Sequence, residues 1–257
     1  MNVFFLFSQA ASNGIERMKE SFMRVFDEMT GRQSRSECWR DFVYCAAATI
    51  AQNSPTGPRY SEREKRYRHV MTKYDAERRL KMAKLLSILC MITEEETQQG
   101  VFEDYMGDLF MRLELYSAMN GQFFTPFHVC RLMAKMQTGN LITQIDRQGW
   151  VSVNEPACGA GATMIAIAEA MHSRGVEWQK CVFFTGQDLA ETCALMCYIQ
   201  LSMLGCAGYV HIGNTLAAPV NGPVLRGDMG PDTWYTPTWN TGIWAGRMFW
   251  ERDGKGA

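Results

Sequence analysis

The chain has 257 residues, 47% of them hydrophobic, and a formal net charge of −1. That length holds one large domain, or a core with a smaller helical domain, and the apolar share is ample for a buried core. A charge near zero excludes a globally basic nucleic-acid binder, so any contact with DNA has to come from local patches. Nine cysteines are scattered without a Cys-x-x-Cys pair or a secretory signal, which points to reduced, buried thiols in a cytoplasmic protein. The four histidines (His69, His128, His172, His211) stand apart from the cysteines, so no metal site is expected.

The first eleven residues are apolar but lack a basic start and a cleavage site, and are too short to span a membrane. A helical period over 15–30 places Met18, Phe22, Val25, Phe26 and Met29 on one face, with Gly31 as its stop. A second helix is predicted over 36–52, with Ser36 as cap and Trp39, Phe42 and Val43 inward. After a Pro/Gly loop, a third helix starts near Ser61 and runs on through Leu85 and Leu89. It carries many cations, which form either a solvated face or a phosphate-contacting one. Glu94 to Glu96 read as an acidic turn, and a further helix is predicted over 102–119.

Next come Gly121-Gln122-Phe123-Phe124-Thr125-Pro126, where Pro126 suits the first turn of a helix over 127–136. Residues 151–164 read as a short apolar strand, a turn of small residues and a helix. Gly159 and Gly161 let the backbone approach a ligand closely, Pro156 stiffens the strand's exit, and Glu155 sets a carboxylate beside the turn. The helix continues to His172, and a buried parallel strand over 181–185 leads into Gly186-Gln187-Asp188. Asp188 can accept ribose hydroxyls at the end of a second strand or cap the helix over 191–204. A third strand over 209–212 ends in Gly213-Asn214-Thr215.

Asn154-Glu155-Pro156-Ala157-Cys158-Gly159-Ala160-Gly161 closely resembles the S-adenosylmethionine loop of adenine-specific DNA methyltransferases, in particular the modification subunits of type I restriction systems. Gly121 to Pro126 resembles the family's other methionine-side motif, and the two occur in the expected order. The resemblance covers roughly 100–216. It implies an α/β fold, a truncated Rossmann-like methyltransferase sheet preceded by a helical N-terminal domain. The expected divisions are 1–118 (helical), 119–216 (cofactor core) and 217–257 (an aromatic-rich tail). It further implies S-adenosylmethionine as cofactor and DNA as partner, and a place in restriction–modification on a phage or plasmid. The implied contacts are Phe123, Phe124, Thr125 and Pro126 near the methionine end, with Glu155, Pro156, Ala157, Gly159 and Gly161 in the turn. Asp188 would serve the ribose and Asn214 the adenine.

The family's catalytic loop, Asn or Asp followed by Pro-Pro and an aromatic residue, has no counterpart here. Only 43 residues follow Asn214, too few for the remaining strands at roughly 30 residues per unit. The target half is therefore expected from an oligomer or a partner subunit. Pro231 to Tyr235 is the one stand-in, with Asp232 as amine acceptor and Trp234 or Tyr235 as base platform. The tail's aromatics and cations can stack bases, cover a sheet edge or form a subunit contact. Two functions stay open: a DNA adenine methyltransferase completed by a partner, and a cofactor-binding relative without activity that acts as regulator, decoy or assembly subunit.

Overall fold

The computed structural model describes residues 3–31, 33–52, 59–115, 124–221, 223–227 and 229–253. A helical half comes first: α1 (Val3–Thr30), α2 (Arg35–Ala51), α3 (Arg59–Thr72), α4 (Ala76–Gln99) and α5 (Tyr105–Arg112). The α/β half follows with α6 (Phe127–Gln148), β1 (Val151–Glu155), α7 (Ala162–His172), α8 (Trp178–Cys181), β2 (Val182–Asp188), α9 (Glu191–Met203) and β3 (Ala207–Ile212). The tail adds β4 (Thr233–Tyr235) and α10 (Ile243–Asp253).

Several boundaries differ from expectation for local reasons. The single charged helix is two, because Asp75 caps a new start by accepting from the Arg78 amide at 2.9 Å. The acidic triplet lies inside α4, which runs on to a left-handed cap at Gly100. The helix before the Phe-Thr-Pro motif is shorter than 102–119, since Asp104 starts it and Leu113 ends it. The helix after that motif is longer, reaching Gly149. The segment 217–257, which has no clear period, nonetheless yields a strand and a helix.

The sheet order is β1-β2-β3-β4, with the first three strands parallel and β4 antiparallel to β3. This is one half of a doubly wound sheet, with β1 at its edge. Alternation along the strands sorts the two faces. Val182, Phe184 and Val210 join α7, α9 and the helical half in one continuous core. Phe183, Ala207 and Tyr209 face the other way, onto Trp239, Trp244 and Met248 of the tail. The tail thus covers the face and the β3 edge that would otherwise meet water.

The charged helix α3 is a tie between halves. Arg63 lies 3.7 Å over the Trp234 ring and donates to the Thr233 carbonyl at 2.9 Å. Arg66 makes a two-pronged pair with Glu191 at 2.5 and 2.7 Å. These guanidiniums hold β4 and α9, which reduces the case for α3 as a phosphate-binding face.

Glu96 sits in α4 with 1% exposure, and neither carboxyl oxygen has a hydrogen-bond partner among the described residues. Burial, reinforced by Glu103, pushes its pKa well up. The folded state therefore keeps a proton that the unfolded chain releases above its ordinary value of 4.5. Stability from this site is greatest in acid and declines as pH rises past that value. Glu96→Gln, always neutral, is expected to melt about 2–4 °C above the parent at pH 7.5, equivalent to about 1 kcal/mol, and level with it near pH 4. A parent that melts higher at pH 7.5 would show that the ionised carboxylate is paired.

Candidate functional site

The carboxyl ends of β1, β2 and β3 open into three loops that meet at residues 156–161, 188–190 and 213–218. The crevice outside such strand ends is the general ligand position of open α/β sheets. The loops are tied to one another. The Cys158 amide donates to the Gln187 carbonyl at 2.9 Å, and the Gly213 amide to the Asp188 carbonyl at 2.9 Å. The Thr215 hydroxyl reaches the Pro156 carbonyl at 2.5 Å.

Gly159 is the centre of this arrangement. Its φ is +52°, and a Cβ there would stand 3.2 Å from the Phe124 ring. Phe124 is itself held edge-on against Phe110 at 5.3 Å between centroids. The Gly159 amide donates to Asp188 Oδ2 at 2.9 Å, while Asp188 Oδ1 accepts from the Ala190 amide at 2.9 Å. Three predicted segments, with Phe124, Gly159 and Asp188, are thereby in contact. Asp188 does not cap α9, whose cap is Ala190 with no side-chain hydrogen bond. A carboxylate has about four acceptor positions, and two of those of Asp188 are used here.

Gly161 (φ +103°) serves packing. A Cβ there would meet Cys197 Sγ at 3.0 Å and Cys197 Cα at 3.4 Å, so the missing side chain lets α9 approach. Gly161 also begins α7 without a side-chain cap, which leaves the first amides of that helix directed into the crevice. Cys158 is 4% exposed, and its hydrogen bond to Cys197 together with burial pushes the thiol well up. It stays protonated and is no nucleophile.

The other predicted residues are placed as follows. Glu155 Oε1 accepts from the Ala157 amide at 3.4 Å. Thr125 and Pro126 are exposed at the start of α6, next to Phe124 in the chain, and Phe123 lies outside the described residues. Asn214 spends its acceptor on the Leu216 and Ala217 amides, at 3.0 and 3.3 Å. Sequence reasoning missed Leu189 and Leu216, 70% and 97% exposed at the rim. The signal for them was position alone: each is an apolar residue just past a strand end.

Trp234 and Tyr235 lie elsewhere, whereas the Asp232 carbonyl accepts from the Ile212 amide at 2.9 Å and so stands at the carboxyl end of β3, one strand beyond Asp188. β4 is separated from β1 by two strands, at about 4.8 Å per step, on the side away from Phe124. Trp234 is 3% exposed, between Tyr44, Tyr198 and Arg63. Tyr235 leans on Tyr209 and Trp239. The last aromatics are further still. Trp244 Nε1 donates to the Gln179 carbonyl at 2.7 Å and Arg247 Nη2 to the Gly149 carbonyl at 2.9 Å, which fixes α10 at the amino ends of β1 and β2. The exposed Phe249 and Trp250 therefore sit at the end of the sheet opposite the crevice.

A nucleoside with a charged tail fits these residues. Gly159 lets the backbone pass directly against the Phe124 ring, which a Cβ would meet at 3.2 Å, Asp188 offers acceptors beside it, and the start of α7 is uncapped. The family model described as N-6 DNA methylase matches residues 102–249, more than half of the chain. No curated protein matches the chain. A solved structure from Listeria monocytogenes, described as a class I S-adenosylmethionine-dependent methyltransferase, is similar at 15% identity with a TM-score of 0.45. The match covers 81% of this chain and 57% of that one, so the chain spans little more than half of that protein. The family's cofactor is S-adenosylmethionine, and the close glycine turn, the acceptor carboxylate and the open helix start suit such a cofactor; the chain belongs to the N-6 DNA methylase family.

Proposed function

We propose that the chain binds S-adenosylmethionine in this crevice and acts in methyl transfer to the exocyclic amine of adenine in DNA, with a partner subunit completing the target side. The observation that carries the cofactor assignment is the junction at Gly159, with Phe124 over its face and Asp188 on its amide. The remaining acceptor positions of Asp188 suit ribose hydroxyls. Leu189 and Leu216 offer apolar faces to an adenine ring, and the Asn214 NH2 group is the part of that side chain left for its edge. Glu155, Pro156, Ala157, Thr125 and Pro126 border the methionine end. S-adenosylmethionine supplies an electrophilic methyl group, so direct attack by an amine needs no enzyme nucleophile, and the protein's part is alignment.

Two surfaces support a partner. In the doubly wound order the next strand lies beyond β1, and among the described residues that edge carries none. On α6, Cys130, Ala134 and Thr138 are buried, whereas Val129, Leu132, Met133 and Met136 are exposed on the opposite side. Because α6 packs along α7 and touches β1, this apolar stripe borders the open edge. The occupant we assign is a strand of the partner, parallel to β1, whose following loop would lie beside Glu155 and hold the amine.

The second reading, a cofactor-binding relative without activity, is favoured by one observation: Trp234 is enclosed and β4 is remote from β1. Labelled methyl transfer to unmethylated single- and double-stranded DNA, followed by nucleoside analysis, separates the two. Transfer to adenine N6 that is lost in Asp188→Ala supports the first. Cofactor binding with no transfer, alone or with proteins co-purified from the native host, selects the second.

A further inference from the structure

The crevice is held from beneath by a buried carboxamide that no cofactor motif contains. Gln200, on α9 and 0% exposed, donates from Nε2 to the Ala160 carbonyl and to Asp104 Oδ1, each at 2.7 Å. Its Oε1 accepts from the Met106 amide at 3.2 Å. Both amide hydrogens and the carbonyl are thus engaged, a saturated group in a water-free place. Asp104 Oδ1 also accepts from the Gly107 amide at 2.9 Å and so fixes the start of α5.

The consequence falls on the turn. The Ala160–Gly161 peptide has its carbonyl on Gln200 and its N–H on the Cys158 carbonyl at 2.8 Å, so that plane cannot rotate. Two peptides earlier, the amide of Gly159 is the one directed to Asp188. The same α5 holds the other side through Phe110, against which Phe124 rests over Gly159. One short helix therefore grips the glycine turn from two directions, through Asp104 and Gln200 below and through Phe110 and Phe124 above.

We propose that Gln200, oriented by Asp104, is the positioning residue of the glycine turn and sets the affinity of the crevice for S-adenosylmethionine, coupling the helical half to the ligand. This rests on the cofactor assignment above. Gln200→Met keeps the volume but strands the Ala160 carbonyl, and Asp104→Ala lets the carboxamide swing. Asp104→Asn retains an oxygen that can accept from both the Gly107 amide and Gln200.

The test is titration of the full chain with S-adenosylmethionine, with melting measured in parallel. Gln200→Met and Asp104→Ala are expected to weaken binding by about 10- to 100-fold, the scale on which supporting hydrogen bonds act on a held group. Asp104→Asn is expected to stay within about 3-fold of the parent, because geometry rather than charge is at issue. Phe26→Leu, a core change in α1, serves as the control for general loss of stability. Affinity lost by Gln200→Met and Asp104→Ala beyond that of this control, and recovered by Asp104→Asn, supports the inference. Binding by Gln200→Met that equals the control's overturns it while leaving the cofactor assignment intact. A parent chain that binds nothing overturns the cofactor assignment itself, and with it this inference.

Discussion

Gly159→Val is expected to weaken S-adenosylmethionine binding by at least about 100-fold, or about 2.8 kcal/mol, with the fold retained. The Cβ alone would stand 3.2 Å from Phe124, and the two valine methyls would displace that ring from the turn. A β-branched residue at a φ of +52° adds backbone strain of about 1–3 kcal/mol, which a fold of ordinary stability survives. The comparison with Gly161→Val makes the result specific. There the added methyls run into Cys197 of α9, so that variant should lose stability and binding together. Titration calorimetry with circular dichroism separates the two outcomes. Unchanged affinity in a folded Gly159→Val would mean that the junction of Gly159 and Phe124 is no part of the ligand site.

Trp234→Ala is expected to cost about 3–5 kcal/mol of stability, the range for removing a buried tryptophan. Its ring is enclosed by Tyr44 and Tyr198 with the Arg63 guanidinium 3.7 Å above it, and it joins the tail to α3 and α9. Chemical denaturation should show a lower midpoint with little change in slope. A tryptophan acting as a base platform would give the reverse pattern, with near-native stability and lost methyl transfer. That outcome would return Trp234 to the target side and require β4 to move.

What was legible in the sequence was what local chemistry dictates. The turn at 156–161 could be read because small residues between a strand and a helix have few uses, and it sits where expected, with α7 spanning Ala162–His172. Asp188 could be placed at the end of β2 by counting along an apolar run. Its hydrogen bond to the Gly159 amide could not, because it joins residues 29 apart. The break between α3 and α4 was hidden by continuous charge, although Asp75 three residues before Arg78 is a capping signal in retrospect. The tail resisted reading because its aromatics follow no period. Their spacing answers to the sheet face they cover, where Phe183 and Tyr209 wait for Trp244 and Tyr235. Gln200 gave no signal at all, being one polar residue inside an apolar helix whose three partners come from other segments.

The most direct measurement is calorimetric titration of the purified chain with S-adenosylmethionine, beside the same titration of Asp188→Ala. Saturable binding at one site per chain, with affinity lowered at least about 10-fold in the variant, is what the crevice at the ends of β1 and β2 demands. No heat from the parent, or equal affinity in both proteins, would contradict it.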